Sequence, residues 1–334
     1  MTVSRPPSSE GFAGRRVLVT GGAGFVGSHV ADRLLAEGAQ VTILDNFSTG
    51  WRQFVPARAR LIEGDLLDRA AVARAVEGSD FVFHFAANAD IKDNLLEPRK
   101  SIEQNVNATQ NLLEAMRAEG VRELAFASTG SVYGDARVVP TPEDAPFPVQ
   151  TSLYATSKLA AEGLLTSYAF GYGCRTWIFR FVSLLGPRYT HGHVIDFWRR
   201  LRSDPARLDV LGDGHQKKSY LHVADCVSGM WVAIARAREP INLFNLGHQD
   251  WIEVNESVAI IVDALGLKPR VVHSGGDRGW VGDSPRILLD TARLRALGWA
   301  PTRSIKESIV ETLEFLEASP WVNDRQSPRE ALSP

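Results

Sequence analysis

Cysteine is nearly absent from this chain. There are two in 334 residues, Cys174 and Cys226, each inside an apolar stretch. Such a pair supports no disulfide framework and reads as two reduced, buried thiols of a cytoplasmic protein. Charge of one sign is also lacking. The formal net charge is −2, so nothing in the balance invites nucleic acid or an anionic membrane. No apolar run is long enough to span a bilayer. The Pro/Ser-rich start, Met1 to Phe12, lacks a signal-peptide core and reads as a disordered tail, as does the end from Asp324 to Pro334. Against these absences, 44% of the residues are hydrophobic. That is enough for a full core, in one large domain with a smaller lobe or in two domains.

The richest local signal is Thr20-Gly-Gly-Ala-Gly-Phe-Val-Gly27, directly after the apolar run Arg16 to Val19. A strand running into a glycine turn and then a helix is the pattern that holds a dinucleotide. Gly21 permits the tight turn, Gly24 lets a pyrophosphate approach the backbone, and Gly27 lets the helix pack close to the strand. The N–H groups and dipole at the helix start then hold the phosphate charge. A glycine turn without a ligand is the alternative. The second strand, Val41 to Asp45, ends in an acid at a suitable distance. A carboxylate there accepts both ribose hydroxyls and repels a 2′-phosphate, which favours NAD over NADP.

Strand and helix patterns alternate onward. Strands are expected at 60–66, 81–87, 124–128 and 175–180, with helices at 68–77, 101–118 and 151–170. Continuous apolar strands between helices imply α/β architecture, a doubly wound parallel Rossmann sheet covered on both faces. From about Gly186, Pro and Gly punctuate shorter elements, with helical patterns at 194–202, 224–237, 254–265 and 304–317. The expected division is a tail at 1–13, an NAD-binding domain at 14–185 to which some later segments return, a smaller substrate lobe at 186–320, and a flexible tail at 321–334. The lobe should cover the carboxyl ends of the sheet strands, where ligands bind in such folds.

Tyr154 and Lys158 lie four apart in a predicted helix, so they share a face. A neighbouring ammonium and a cationic nicotinamide ring both favour phenolate, lowering the tyrosine from its usual value near pH 10 toward working pH. An ordinary helix face gives the same spacing by chance. The preceding strand ends in Ser128-Thr129-Gly130-Ser131, whose hydroxyls point into the crevice but also suit a plain turn. His84, on a buried strand, reads as a satisfied core histidine. His191 and His193 lack the partners of a metal site, so no metal is expected.

With these segments together, the chain resembles the extended short-chain dehydrogenases/reductases, in their NAD-dependent sugar epimerase/dehydratase family, over roughly Arg15 to Leu316. Within it the likeness is greatest to the UDP-glucose 4-epimerase branch, through Leu211 to Leu221 and Gly279-Trp-Val-Gly-Asp283. The resemblance implies Tyr154 as acid/base, Lys158 as its partner on the nicotinamide ribose, and hydroxyl help from Thr129 and Ser128. It implies NAD contacts from Gly21, Gly24, Phe25, Val26 and Gly27, from Asp45, Asn46, Ser48, Thr49 and Gly50, and from Asp65 and Leu66 at adenine. Phe85, Ala86, Ala87, Asn105, Ser128, Tyr154, Lys158 and Phe181 complete that set. The substrate, most readily a UDP-sugar, would meet Thr129, Ser131, Ser183, His193, Val194, Lys218, Tyr220, Arg278 and Asp283.

Departures from the family pattern narrow the chemistry. Family dehydratases carry Asp-Glu at the positions of Gly130 and Ser131, decarboxylases usually Glu at the second, and 3,5-epimerases a nearby cysteine. None is present. What remains is removal of hydride from C4 by NAD, rotation of the 4-keto sugar, and return of hydride to its other face. Ser183 stands where galactose-type enzymes usually have Asn. With Arg188 or Arg286 it could instead hold a uronate carboxylate, while Arg188 on a surface turn and Arg286 on a phosphate is the plainer reading. A net dehydrogenase or reductase on the same scaffold, and a redox-sensing module with dead chemistry, are the other classes. Retention of both Tyr154 and Lys158 argues against the last. The resemblance also implies a homodimer through helices near 99–118 and 152–170, and closing segments at 136–150 and 275–284.

Overall fold

The computed structural model describes residues 11–89, 96–146, 149–279 and 284–323. Seven of the strands among them form one sheet: β1 (Arg16–Thr20), β2 (Gln40–Asp45), β3 (Arg60–Glu63), β4 (Phe81–His84), β5 (Glu123–Thr129), β6 (Arg175–Phe181) and β7 (Ile241–Leu246). Their order is β7-β6-β5-β4-β1-β2-β3, and every pairing is parallel. Such an order follows from apolar runs buried on both faces. All four residues of β4 are buried, as are the last four of β1, and each fully buried large apolar side chain contributes roughly 1.5–3 kcal/mol. The chain crosses from β3 to β4 past β1, so the strand order reverses between β1 and β4. That reversal opens a crevice at their carboxyl ends.

Helices α1 (Phe25–Ala36), α2 (Arg69–Val76), α3 (Ala108–Glu119) and α4 (Leu153–Tyr172) flank the sheet. The helix expected from 101 to 118 is not uniform. A short α turn (Pro98–Ser101) passes into a π-helical turn at Ile102–Asn107 before α3 begins. One extra residue per turn shifts the register there, and the turn carries a 2%-exposed Asn105. Gly120, at φ 74°, closes α3 in the left-handed conformation.

Strand β7 lies sixty residues beyond β6, yet pairs with it from Ile241↔Thr176 to Leu246↔Phe181. The second half otherwise builds small sheets. One joins Lys217–Lys218 to Ile252–Glu253 and Arg286–Ile287, and another joins Ser183–Leu185 to Tyr220–His222.

Both ends reach further into the structure than their composition suggests. Composition places Phe12 in the tail, but it is 3% exposed and packs its ring 5.2–5.6 Å from Phe81, Phe83 and Trp231. At the other end, Trp321 and Val322 fall in the expected flexible tail. Trp321 instead meets Trp51 edge-on at 5.0 Å, and Val322 is fully buried. Aromatic and aliphatic burial outweighs the neighbouring polar composition in both places.

Buried histidines make the fold acid-sensitive. Burial lowers His84 and His193 to about 3 and His29 to about 4. An unfolded chain takes up these protons near 6.5, so stability is complete above that value and is lost as pH falls toward 3. His84 alone contributes a slope of ~1.4 kcal/mol per pH unit in that window. Urea midpoints at pH 7 and pH 5 should therefore differ clearly. Equal midpoints would contradict the burial of three neutral imidazoles.

Candidate active site

The glycine turn after β1 is fixed by contact. Gly21 has φ 69°, and a Cβ on it would lie 2.6 Å from the Ala86 nitrogen, across the reversal point. A Cβ on Gly27 would lie 2.2 Å from the Gly21 oxygen, so the first turn of α1 rests directly on the turn. At Gly24 the same test meets only the Gly21 oxygen, at 3.2 Å. Its other side is open, as a phosphate approach requires. The Gly27→Ala variant should lose NAD affinity by at least about tenfold, read as cofactor retained after gel filtration. Full retention would contradict this packing.

Asp45 ends β2 at 7% exposure. One carboxylate oxygen accepts the Ala23 N–H at 2.9 Å and the other the Phe47 N–H at 2.8 Å. It thereby binds the glycine turn to the loop that carries Asn46, Ser48, Thr49 and Gly50. Asn46 donates to Asp65 at 2.7 Å, and its oxygen accepts the Ser48 N–H at 3.0 Å. The adenosine-side residues therefore form one connected rim. Leu66 is 5% exposed with its side chain in the core, which leaves only its backbone for contact. Phe25 packs against Tyr189 and His29 at the start of α1. Val26, Phe85 and Phe181 are partly buried against the core, and Ala87 is likewise half-buried.

Asn105 faces inward rather than toward a cofactor. Its amide donates to the Ser157 hydroxyl at 2.8 Å and to the Asn88 carbonyl at 3.0 Å, and its oxygen accepts the Asn88 N–H at 2.7 Å. It ties α4 to the loop after β4. His84 is the satisfied core histidine expected of it. Its ring nitrogens engage Thr20 and Thr109 at 2.7 and 2.9 Å.

Tyr154 and Lys158 sit on α4, whose start Ser152 caps by accepting the Ala155 N–H. Tyr154 hydrogen-bonds Thr129 at the end of β5. Thr129 also accepts the Ser131 N–H at 3.1 Å and lies 3.1 Å from its hydroxyl. Tyr154, Thr129 and Ser131 are thus gathered at one strand end. The phenol, however, moves opposite to expectation: burial pushes it up to about 12, and the Thr129 bond offsets only part. Lys158 brings no compensating pull. It is 2% exposed, and burial lowers it to about 7, with Glu162 pulling the other way. Its ammonium lies 4.0 Å from the Phe126 ring centroid. No hydrogen-bond acceptor among the described residues meets it.

Ser128 is also turned to another task. Its hydroxyl donates to Glu162, and the same carboxylate receives Arg180 through two bonds of 3.0 and 2.7 Å. Arg180 further donates to the Tyr133 hydroxyl at 2.8 Å. The serine proton is therefore not available to a sugar oxygen. Glu162 is absent from the residues that sequence reasoning singles out, although a signal exists: it follows Lys158 by one helical turn.

On the lobe side, His193, Lys218 and Tyr220 come together. The His193 ring lies 4.7 Å from that of Tyr220 and bonds Ser257 at 2.8 Å. It is held neutral by burial first and by Lys218 second. Val194 is fully buried in the core of the lobe. Ser183 is exposed on a short strand. Arg278, from the late glycine-rich segment, pairs with Asp135 at 2.8 Å. Asp283 lies outside the described residues. Nη2 of Arg188 is held by Asp32 at 2.7 Å, while its Nη1 is buried with no hydrogen-bond partner among the described residues. Among the described residues, no three His, Cys, Asp or Glu side chains are grouped to hold a metal.

The open backbone at Gly24, the Asp45 carboxylate and an ammonium with no acceptor fit NAD. The chain's own likenesses agree. Residues 17–247 match the model of the NAD dependent epimerase/dehydratase family. The UDP-glucose 4-epimerase of Corynebacterium glutamicum is 33% identical over 312 residues, 89% of this chain and 94% of that one. The UDP-glucose 4-epimerase of Thermus thermophilus, solved in complex with NAD, is 34% identical, covers 91% of this chain and 99% of its own, and superposes with a TM-score of 0.82. That of Thermotoga maritima, solved with UDP-glucose, is 30% identical with the same coverage and a TM-score of 0.85. By motif, geometry and likeness, this chain belongs to the NAD dependent epimerase/dehydratase family.

Proposed function

We propose that the chain is a nucleotide-sugar 4-epimerase of the UDP-glucose/UDP-galactose type. The observation that carries this reading is the strand end beside Tyr154. A dehydratase needs an acid there, and this chain has Gly130 and Ser131. A Cβ at 130 would already lie 3.2 Å from the Phe181 carbonyl oxygen and 3.3 Å from Leu289. Any side chain there would press on its neighbours by a few tenths of an ångström, so the strand end offers no acid for elimination, and oxidation at C4 followed by reduction is the reading it favours.

NAD, when bound, supplies the acceptor that takes hydride from C4 and gives it back. Gly21, Gly24, Asp45 and the rim of Asn46 would hold it, and Lys158 would use its unpaired donors on the nicotinamide ribose. Tyr154 takes the proton from the C4 hydroxyl and returns it, and Thr129 orients that oxygen. Since the chain's own groups raise the phenol, its activation depends on positive charge brought by bound ligand. Lys218 and Arg278 provide cations for a diphosphate. The uronate alternative would draw on Arg188, whose Nη2 is paired with Asp32 while its Nη1 is buried with no hydrogen-bond partner among the described residues, or on the exposed Arg286.

The test is conversion of UDP-galactose to UDP-glucose by NAD-loaded protein with no cofactor added. Net build-up of reduced cofactor would instead indicate a dehydrogenase.

The assembly we infer is a homodimer. Its support is an open groove lined by Pro98, Arg99, Ile102, Glu103, Asn107 and Leu153, where the π turn meets α4, with Ile102 43% exposed. Light scattering should give twice the chain mass at micromolar concentration, and a monomer would refute the dimer. Two free, buried cysteines suit the reducing cytoplasm, which is our reading of its location. No helix among the described residues is long and apolar enough to cross a membrane.

A further inference from the structure

Lys158 presents a problem that its own surroundings do not solve. The ammonium is buried and has no hydrogen-bond acceptor among the described residues, only the Phe126 ring face. The groups around it are few. His84 on β4 is neutral and adds no counter-charge. Tyr154, one turn before it on α4, is a neutral phenol. Among the described residues Glu162, one turn after it on the same helix, is the anion acting on it. Glu162 is itself 5% exposed and is held from β6 by Nε and Nη2 of Arg180 and from β5 by Ser128. A bidentate guanidinium fixes a carboxylate in place and direction. Arg180 is fixed in turn by the Tyr133 hydroxyl and the Glu143 carbonyl, at 2.8 and 3.1 Å.

We propose that Glu162 is a positioning residue of this site: locked by Arg180 and Ser128, its carboxylate keeps the neighbouring Lys158 cationic so that the lysine can donate to the cofactor. The buried pair is thus more than a strut between α4 and β6. A strut needs only shape and hydrogen bonds, which an amide could supply in part. Keeping a buried ammonium charged needs an anion, since burial otherwise drives the proton off. The three elements that carry Lys158, Ser128 and Arg180 thereby meet at one carboxylate.

The inference rests on the proposed role of Lys158, so its test is read without turnover. In NAD-loaded protein labelled with 13C at lysine Cε, the Lys158 signal is identified by its loss in Lys158→Met and titrated by NMR. Glu162→Gln should lower the Lys158 midpoint by about one pH unit or more. Glu162→Asp, which keeps the charge, should leave the midpoint within a few tenths of a unit. The alkaline limb of epimerase turnover should move with it. An unmoved midpoint in Glu162→Gln, or an equal shift in Glu162→Asp, would overturn the proposal and leave Glu162 a structural residue. If the stranded guanidinium prevents Glu162→Gln from folding, the Glu162→Gln/Arg180→Met double variant removes that charge; the Lys158 midpoint should still fall there, by less than in Glu162→Gln, and an unmoved midpoint would overturn the proposal.

Discussion

Tyr154→Phe is expected to reduce epimerase turnover about 10²–10⁴-fold while NAD remains bound. The variant removes one hydroxyl from a half-buried ring. Among the described residues that hydroxyl bonds only Thr129, and Thr129 keeps its bonds to Ser131. The fold should therefore lose at most about 1 kcal/mol, and thermal unfolding should shift little. The chemistry loses much more, because no other described group at the strand end can take the C4 proton. The Ser128 hydroxyl donates its hydrogen bond to Glu162. Lys158, one turn away, lies against Phe126. Turnover measured alongside cofactor content separates these effects. Intact turnover in Tyr154→Phe would remove the acid/base assignment.

The second large effect joins loss of activity to gain of stability. Lys158→Met should lower turnover about 100-fold or more, since the proposed donor to the nicotinamide ribose would be gone. NAD-free protein should nevertheless become more stable, by roughly 1–4 kcal/mol below neutral pH. The sign follows from burial, which lowers Lys158 from its ordinary 10.5 to about 7. Below 7 the folded protein carries the buried charge, and the penalty is full. As pH rises from 7 to 10.5 the folded lysine is neutral while the unfolded chain still holds its proton, so the penalty fades. The advantage of methionine should shrink across the same window. Paired denaturation curves at pH 6 and pH 9.5 check this. A Lys158→Met protein no more stable at pH 6 would mean that the ammonium is not strained where it lies.

Much of this was legible in the sequence because it is local. The glycines at 21, 24 and 27, the acid closing β2, and the four-residue spacing of Tyr154 and Lys158 each encode geometry within a turn or two. The six strands through Phe181 begin within a residue of where their pattern put them, but β3 is the largely exposed Arg60–Glu63 rather than an apolar run, and both it and β4 end three residues earlier than expected. What escaped was non-local or partner-dependent. That some later segment returns to the first domain was expected, but nothing in Ile241–Leu246 names β6 as its neighbour across sixty residues. The π turn at Ile102–Asn107 breaks a 3.6-residue period by one residue, and Asn105 within it braces α4 to the loop after β4. Phe12 and Trp321 sit in polar-looking ends but find aromatic partners far along the chain. The direction of the Tyr154 shift depended on burial, which spacing does not show. Ser128 fell to Glu162 because the strand end offers two hydroxyls in a row, and the helix fixes which one faces the site.

The central claim is that hydrogen leaves C4 and returns to the same carbon without passing through solvent. An NMR time course with NAD-loaded protein and UDP-galactose in deuterated buffer tests it most directly. The account predicts that UDP-glucose appears with no deuterium on any sugar carbon. Deuterium at C3 or C5, or a deoxy-keto product, would show enolisation or elimination and would contradict it.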